Sequence, residues 1–150
     1  MNPLAPGSPA PPIEGVDLSK APTALFFYKV TCPVCQMAAP KVRAFAEAYP
    51  GRIVGVGQDP ALKLAAFDLQ YRLGFDAVTD LPPYPASNAY GIRVVPTLFL
   101  VDGGGAIADV AESWDRKGLN RVSKGLAELA GAVFRPVSEP DDGLPPFRPG

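Results

Sequence analysis

The sequence predicts an α/β fold with a single mixed central β-sheet flanked by helices, and three observations carry that expectation. Ala24 to Tyr28 is a continuous apolar run, fit for a central strand covered on both faces. Helix-like repeats alternate with short apolar runs through the first half, as parallel strands joined by crossover helices require. Near the other end the turn Asp102-Gly103-Gly104-Gly105 separates two apolar runs, which makes the closing pair an antiparallel hairpin.

In chain order, residues 1–12 hold five prolines and no dense apolar pattern. They read as an extended, loose arm. Residues 13–133 form the domain. The first helix follows Cys35: Val34, Ala38, Val42, Phe45 and Tyr49 recur at spacings of three and four. Arg43 and Glu47 stand four apart on its outer side, as an ion pair would. Pro40 falls inside this pattern and is expected to kink it, and Pro50-Gly51 ends it.

Ile53 to Val56 is a second strand. Asp59 is then expected to cap a second helix with Pro60 as its first residue. Leu62, Ala66, Leu69 and Leu73 mark that helix, and Gly74 stops it. Phe75 to Val78 is a short extended piece, and "DLPPYP" is a stiff loop. Ala86 to Tyr90 gives one helical turn closed by Gly91. Thr97 to Val101 is a buried strand and Ala106 to Val110 its hairpin partner. Leu119, Val122, Leu126, Leu129 and Val133 mark the last helix. Residues 134–150 hold five prolines without periodicity and read as an extended tail.

Composition narrows the function. The chain has 150 residues, 47% of them hydrophobic and 19% charged, which fits one domain with a real core. A net charge of −1 favours neither nucleic acid nor an anionic membrane. No apolar run is long enough for a membrane span. The N-terminus lacks the basic start and apolar core of a secretory signal, so the expected compartment is the cytoplasm. There is no histidine, which removes His-based general bases, His metal ligands and Cys–His nucleophile pairs. The GVG at 55–57 is only a fragment of a phosphate-loop pattern, and a loop after a strand explains it better.

What remains is Cys32-Pro33-Val34-Cys35, the only cysteines in the chain, at a strand-to-helix junction. In a reducing compartment a lone CxxC is more often catalytic or metal-binding than a structural staple. A cysteine at a helix N-terminus gains thiolate stability from unpaired N–H groups and the helix dipole. The pair therefore suits dithiol–disulfide exchange.

"LFFYKVTCPVCQMAAP", with Pro40 five residues after Cys35, and "AYGIRVVPTLFLVDGGGAI" resemble the thioredoxin superfamily. The likeness is to its TlpA-like and redoxin branch, covers about residues 10–131, and extends to "GSPAPPI" and "IVGVGQD". It implies a thioredoxin-like fold and a thiol–disulfide oxidoreductase with a redox-active disulfide and no other cofactor or metal. Cys32 is then expected to attack and Cys35, one turn into the helix, to resolve. Pro96 would be the family's cis-proline beside the sulfurs, and the Val95 backbone would pair with an extended substrate segment. The implied partners are a disulfide-containing protein substrate and an external electron donor, acting on a monomer. Around the dithiol, Thr31, Pro33, Val34 and Lys29 are candidate supporting residues, and Tyr84 and Pro85 candidates for the groove.

Three positions depart from the family. Phe26 stands where thioredoxins proper carry a buried aspartate, Ala38 where some relatives carry a glutamate, and Thr31 where a tryptophan is usual. The proton acceptor for Cys35 is therefore open among Lys29, Asp59 and water. Lys29 would favour a thiolate by charge or simply be solvated, and Thr31 would bond the sulfur, cap the helix, or both. The uncharged Pro33-Val34 pair favours a reductase over an oxidase. Two alternatives stand beside this reading. A thiol peroxidase would want Thr or Ser three before its cysteine and Pro seven before, where Cys32 has Lys29 and Leu25, with Arg93 the one suggestive arginine. A non-enzymatic domain would hold metal between its two thiolates, or carry an inert disulfide.

Overall fold

Strand β1, Thr23–Tyr28, is buried at every position and lies at the centre of the sheet. The computed structural model describes residues 2–150, so Met1 of the arm lies outside the described residues. The order is β1, α1 (Pro33–Ala48), β2 (Ile53–Gly57), α2 (Ala61–Tyr71), β3 (Ala77–Thr79), α3 (Pro85–Tyr90), β4 (Thr97–Val101), β5 (Ile107–Glu112), β6 (Trp114–Asp115), α4 (Arg116–Ala130) and β7 (Phe147–Arg148).

The main sheet runs β3-β2-β1-β4-β5. Strands β1, β2 and β3 are parallel, and β4 runs antiparallel to both its neighbours, β1 and β5. The mixed sheet is the one expected. Alternation along β1 divides its side chains between two cores. Ala24, Phe26 and Tyr28 face α1, α4 and part of α2. Leu25 and Phe27 face Tyr90, Phe99, Ile107, Ile13 and Leu18. Each large side chain so buried contributes roughly 1.5–3 kcal/mol, which holds β1 and the turn after it in place.

The face of α1 is the predicted one: Val34, Ala38, Val42 and Phe45 are buried and Tyr49 is the C-cap. The helix runs through Pro40, which is exposed. Arg43 and Glu47 pair at 2.9 Å. Of the face expected for α2 only Leu73, past its end, is buried. Leu62 and Leu69 are 86% and 81% exposed, and Leu64 and Phe67 are buried instead. The reason is aromatic packing: the Phe67 ring lies 5.4 Å from Tyr28 of β1, which turns the helix away from its leucine stripe. Nor does Asp59 cap α2. Pro60 holds the N-cap position, and the helix ends at Arg72 in the left-handed region, ahead of Gly74.

The arm is not loose. Leu4 and Gly7 donate backbone hydrogen bonds to Tyr90 and Ile107 at 3.1 and 2.8 Å, and Ala10 donates to Gly105 at 2.8 Å. Its backbone thus extends the hairpin, an order that proline content alone conceals. The tail is also built in: Val137 and Ser138 are buried, and β7 pairs antiparallel with β6. Val133, expected on the last helix, lies beyond the Gly131 cap and is 78% exposed.

Candidate active site

Strand β1 delivers the chain to a tight turn at Lys29–Thr31, where the Cys32 N–H donates to the Lys29 carbonyl at 3.1 Å. Cys32 is the N-cap of α1, with extended backbone, and Pro33 opens the helix. Proline suits that position because its missing N–H would have no partner there. The cap bond comes from the cysteine itself: Cys35 N–H donates to Cys32 Sγ at 3.2 Å. The expected capping role of Thr31 is therefore corrected. Thr31 is exposed, and no hydrogen bond of its hydroxyl occurs among the described residues.

Both cysteines are thiols in this structure, Cys32 half-buried and Cys35 fully buried. Burial pushes the Cys35 thiol well above its ordinary value, and its contact with the Cys32 side chain adds to the rise. The outer sulfur is the accessible one because α1 turns Cys35 and Val34 into the core. Across the site, the Cys32 thiol donates to the Val95 carbonyl at 3.5 Å. The Val95–Pro96 peptide is cis, as the resemblance implied, and a second cis bond joins Pro82 and Pro83. Pro96 is buried and leads into β4, so the sheet places Val95 beside Cys32.

The structure thus gathers Cys32, Cys35, Pro33, Val34, Val95 and Pro96. The Lys29 backbone belongs to the turn. Tyr84 and Pro85 are placed elsewhere in hydrogen-bonding terms. They open α3, whose first N–H groups are held by Asp80, and among the described residues no hydrogen bond joins them to the dithiol or to Val95.

Two side chains brace the turn in a way the sequence does not announce, since Asp59 reads there as a helix cap or as a proton acceptor for Cys35. The buried Asp59 accepts the Val30 N–H at 2.8 Å, so it fixes the turn before Cys32 rather than starting α2. Asp59 and Cys35 both act, after Asp68, on the buried Tyr28 hydroxyl, whose proton burial already holds above the ordinary tyrosine range. Gln36 also braces the turn, donating from Nε2 to the Val30 carbonyl at 2.8 Å. An aspartate before a proline reads as a helix cap, and nothing local reveals a partner twenty-nine residues upstream. Among the described residues no group of three or more His, Cys, Asp or Glu is arranged to hold a metal ion.

A five-stranded mixed sheet with a CxxC at the start of its first helix and a cis-proline opposite defines a thioredoxin-like fold. Residues 11–110 match the AhpC/TSA family, and the chain belongs to it. Among solved structures, the DsbF of MTB is 27% identical, with TM-score 0.62 over 73% of this chain and 83% of its own. The thioredoxin domain of a thiol-disulfide oxidoreductase from Bacteroides vulgatus gives TM-score 0.69 at 22% identity, over 82% and 99%. A secreted Mycobacterium tuberculosis disulfide oxidoreductase homologous to E. coli DsbE gives 0.56 at 22%, over 70% and 80%. A stretch of 88 residues, 54% of this chain, is 36% identical to Proline--tRNA ligase of Clavibacter sepedonicus and spans 15% of that protein's length. The family match and the DsbF structure are consistent with an oxidoreductase.

Proposed function

We infer that the protein is a thiol–disulfide oxidoreductase that reduces protein or small disulfides through Cys32 and Cys35. The observation that carries this is the pair of contacts on Cys32 Sγ, from the Cys35 N–H at 3.2 Å and to the Val95 carbonyl at 3.5 Å. The first supplies positive potential at a helix N-terminus, where a thiolate is stabilised. The Cys32 thiolate attacks one substrate sulfur. The substrate S–S bond breaks, a mixed disulfide forms, and the departing thiolate takes a proton. Cys35, as thiolate, then attacks Cys32 Sγ, closes the Cys32–Cys35 disulfide and releases the second substrate thiol. Two electrons pass from the dithiol to the substrate, and an external dithiol donor returns them. High-lying Cys35 stays protonated until that second step, when Lys29, Asp59 or water takes its proton.

In this reading Thr31, Pro33, Val34 and Lys29 shape the turn, and Tyr84 and Pro85 border the groove at greater distance. Residues 1–12 and 134–150 are flanks of one domain at 13–133. The working state is a monomer in the cytoplasm, although one fold neighbour is described as secreted.

Cys35→Ser should accumulate a mixed disulfide at Cys32, seen by mass spectrometry, and Cys32→Ser should abolish exchange. A potential near ~−270 mV in glutathione buffers supports a reductase, and one above roughly −150 mV points to an oxidant and another compartment. The AhpC/TSA match also favours testing a thiol peroxidase. Peroxide consumption faster than disulfide exchange, and lost in Cys32→Ser, would put that reading first.

A further inference from the structure

Residues 147–150 reach the Val95 backbone, which faces the dithiol. The base of this tail is anchored: Trp114 Nε1–H donates to the Pro145 carbonyl at 2.6 Å, and Arg116 N–H to the Pro146 carbonyl at 3.0 Å. Past that anchor the chain runs along β6 to α1, where the Arg148 guanidinium donates to Met37 Sδ at 3.8 Å. Gly150 N–H donates to Ser113 Oγ at 3.1 Å, and Ser113 N–H donates to the Pro96 carbonyl at 2.8 Å. Gly150 lies so close to Val95 that a Cβ on it would overlap the Val95 carbonyl oxygen and stand 3.5 Å from Pro96 Cδ. That same carbonyl accepts the Cys32 thiol.

We propose that residues 147–150 are a substrate-size filter, resting on the reading of Cys32 as the exchanging thiol. They cover the Val95 backbone, the edge on which an extended substrate chain would pair. A protein disulfide must displace them, whereas a small disulfide reaches the half-buried Cys32 with them in place. The hold is uneven. All four residues are exposed, but Phe147 and Arg148 pair with β6 and Arg148 reaches Met37, whereas one backbone hydrogen bond tethers Gly150. The β6 pairing and the anchor at Pro145 and Pro146 stay fixed, so residues 149 and 150 are the part that moves off Val95.

The test uses the full reduced chain. Gly150→Val adds bulk against an unyielding backbone carbonyl and should lift the segment from Val95. Ser113→Ala removes the tether without adding bulk and serves as the second variant. Alkylation at Cys32 is followed by mass spectrometry with iodoacetamide and with an extended maleimide-capped peptide. The peptide rate should rise roughly three- to tenfold in both variants, as a larger open fraction requires, while the iodoacetamide rate stays level. Unchanged peptide rates, or equal changes with both reagents, overturn the filter. Exchange with hydroxyethyl disulfide and with insulin is measured alongside. If neither exchanges in any chain, the oxidoreductase reading falls, and the alkylation ratio still decides the filter.

Discussion

Cys35 and Cys32 differ by three residues and by a whole environment. One helical turn puts the Cys35 thiol in the core and leaves the Cys32 sulfur at the surface. Because burial raises the Cys35 thiol above its ordinary 9.0, the folded chain keeps that proton at a pH where the unfolded chain has lost it. The unfolded state then binds fewer protons, and stability falls as pH rises. The reduced protein should lose about 1 kcal/mol between pH ~9 and ~10 from this group, as the unfolded thiol passes through its own pKa. Urea midpoints at both pH values, compared with Cys35→Ala, check this. Parallel pH dependence in the two chains would show that Cys35 titrates freely. Tyr28 and Tyr90, also raised by burial, add losses only above the ordinary tyrosine range.

Packing is close at the junction of β2 and α2. Gly57 ends β2, and a Cβ there would overlap the Leu64 side chain of α2. Leu64 is itself buried beside the β1 aromatics. Gly57→Ala should therefore cost about 1–3 kcal/mol through overpacking. Leu64→Ala alone should also destabilise, but the double variant should cost less than the sum, because the truncation vacates the space the new methyl needs. Additive losses in denaturant midpoint would mean that the backbone yields instead. This packing explains why the α2 face was unreadable in advance. Leu62, Ala66, Leu69 and Leu73 give the helical repeat, yet the neighbour that decides the face is Tyr28, distant in sequence.

Across the molecule, the tail is tied to α1 and α4 through one carboxylate. Asp142 accepts from Ser138 Oγ at 2.6 Å and pairs with Lys41 at 3.2 Å and Arg116 at 3.6 Å. The Ser138 hydroxyl, with the Leu144 N–H next, holds its pKa well below the ordinary carboxylate range. A depressed acid stabilises the fold above its unfolded pKa, and that contribution is lost as pH falls through the folded value. Asp142→Asn should thus destabilise the chain at pH 7 and flatten its acid unfolding. Faster amide exchange at Ser138–Leu144, with exchange in β1 unchanged, is the expected local signature. Equal protection of that turn in both chains would contradict it.

By itself the sequence determined a mixed sheet with a buried central strand, the CxxC at a strand–helix junction and the buried face of α1. These are short-range patterns: an apolar run in a strand, a three-to-four repeat in a helix, and a motif whose parts are adjacent. The proline facing the dithiol came through the family resemblance, since Pro96 lies far from the CxxC in sequence. Only the tertiary structure decided that Cys32 caps its own helix, that Asp59 braces the turn before it, and that both proline-rich ends are ordered. Those outcomes rest on backbone groups meeting across the chain, such as Gly7 with Ile107 and Gly150 with Ser113. Main-chain donors and acceptors are the same for every residue except proline, so nothing in side-chain composition announces where they pair.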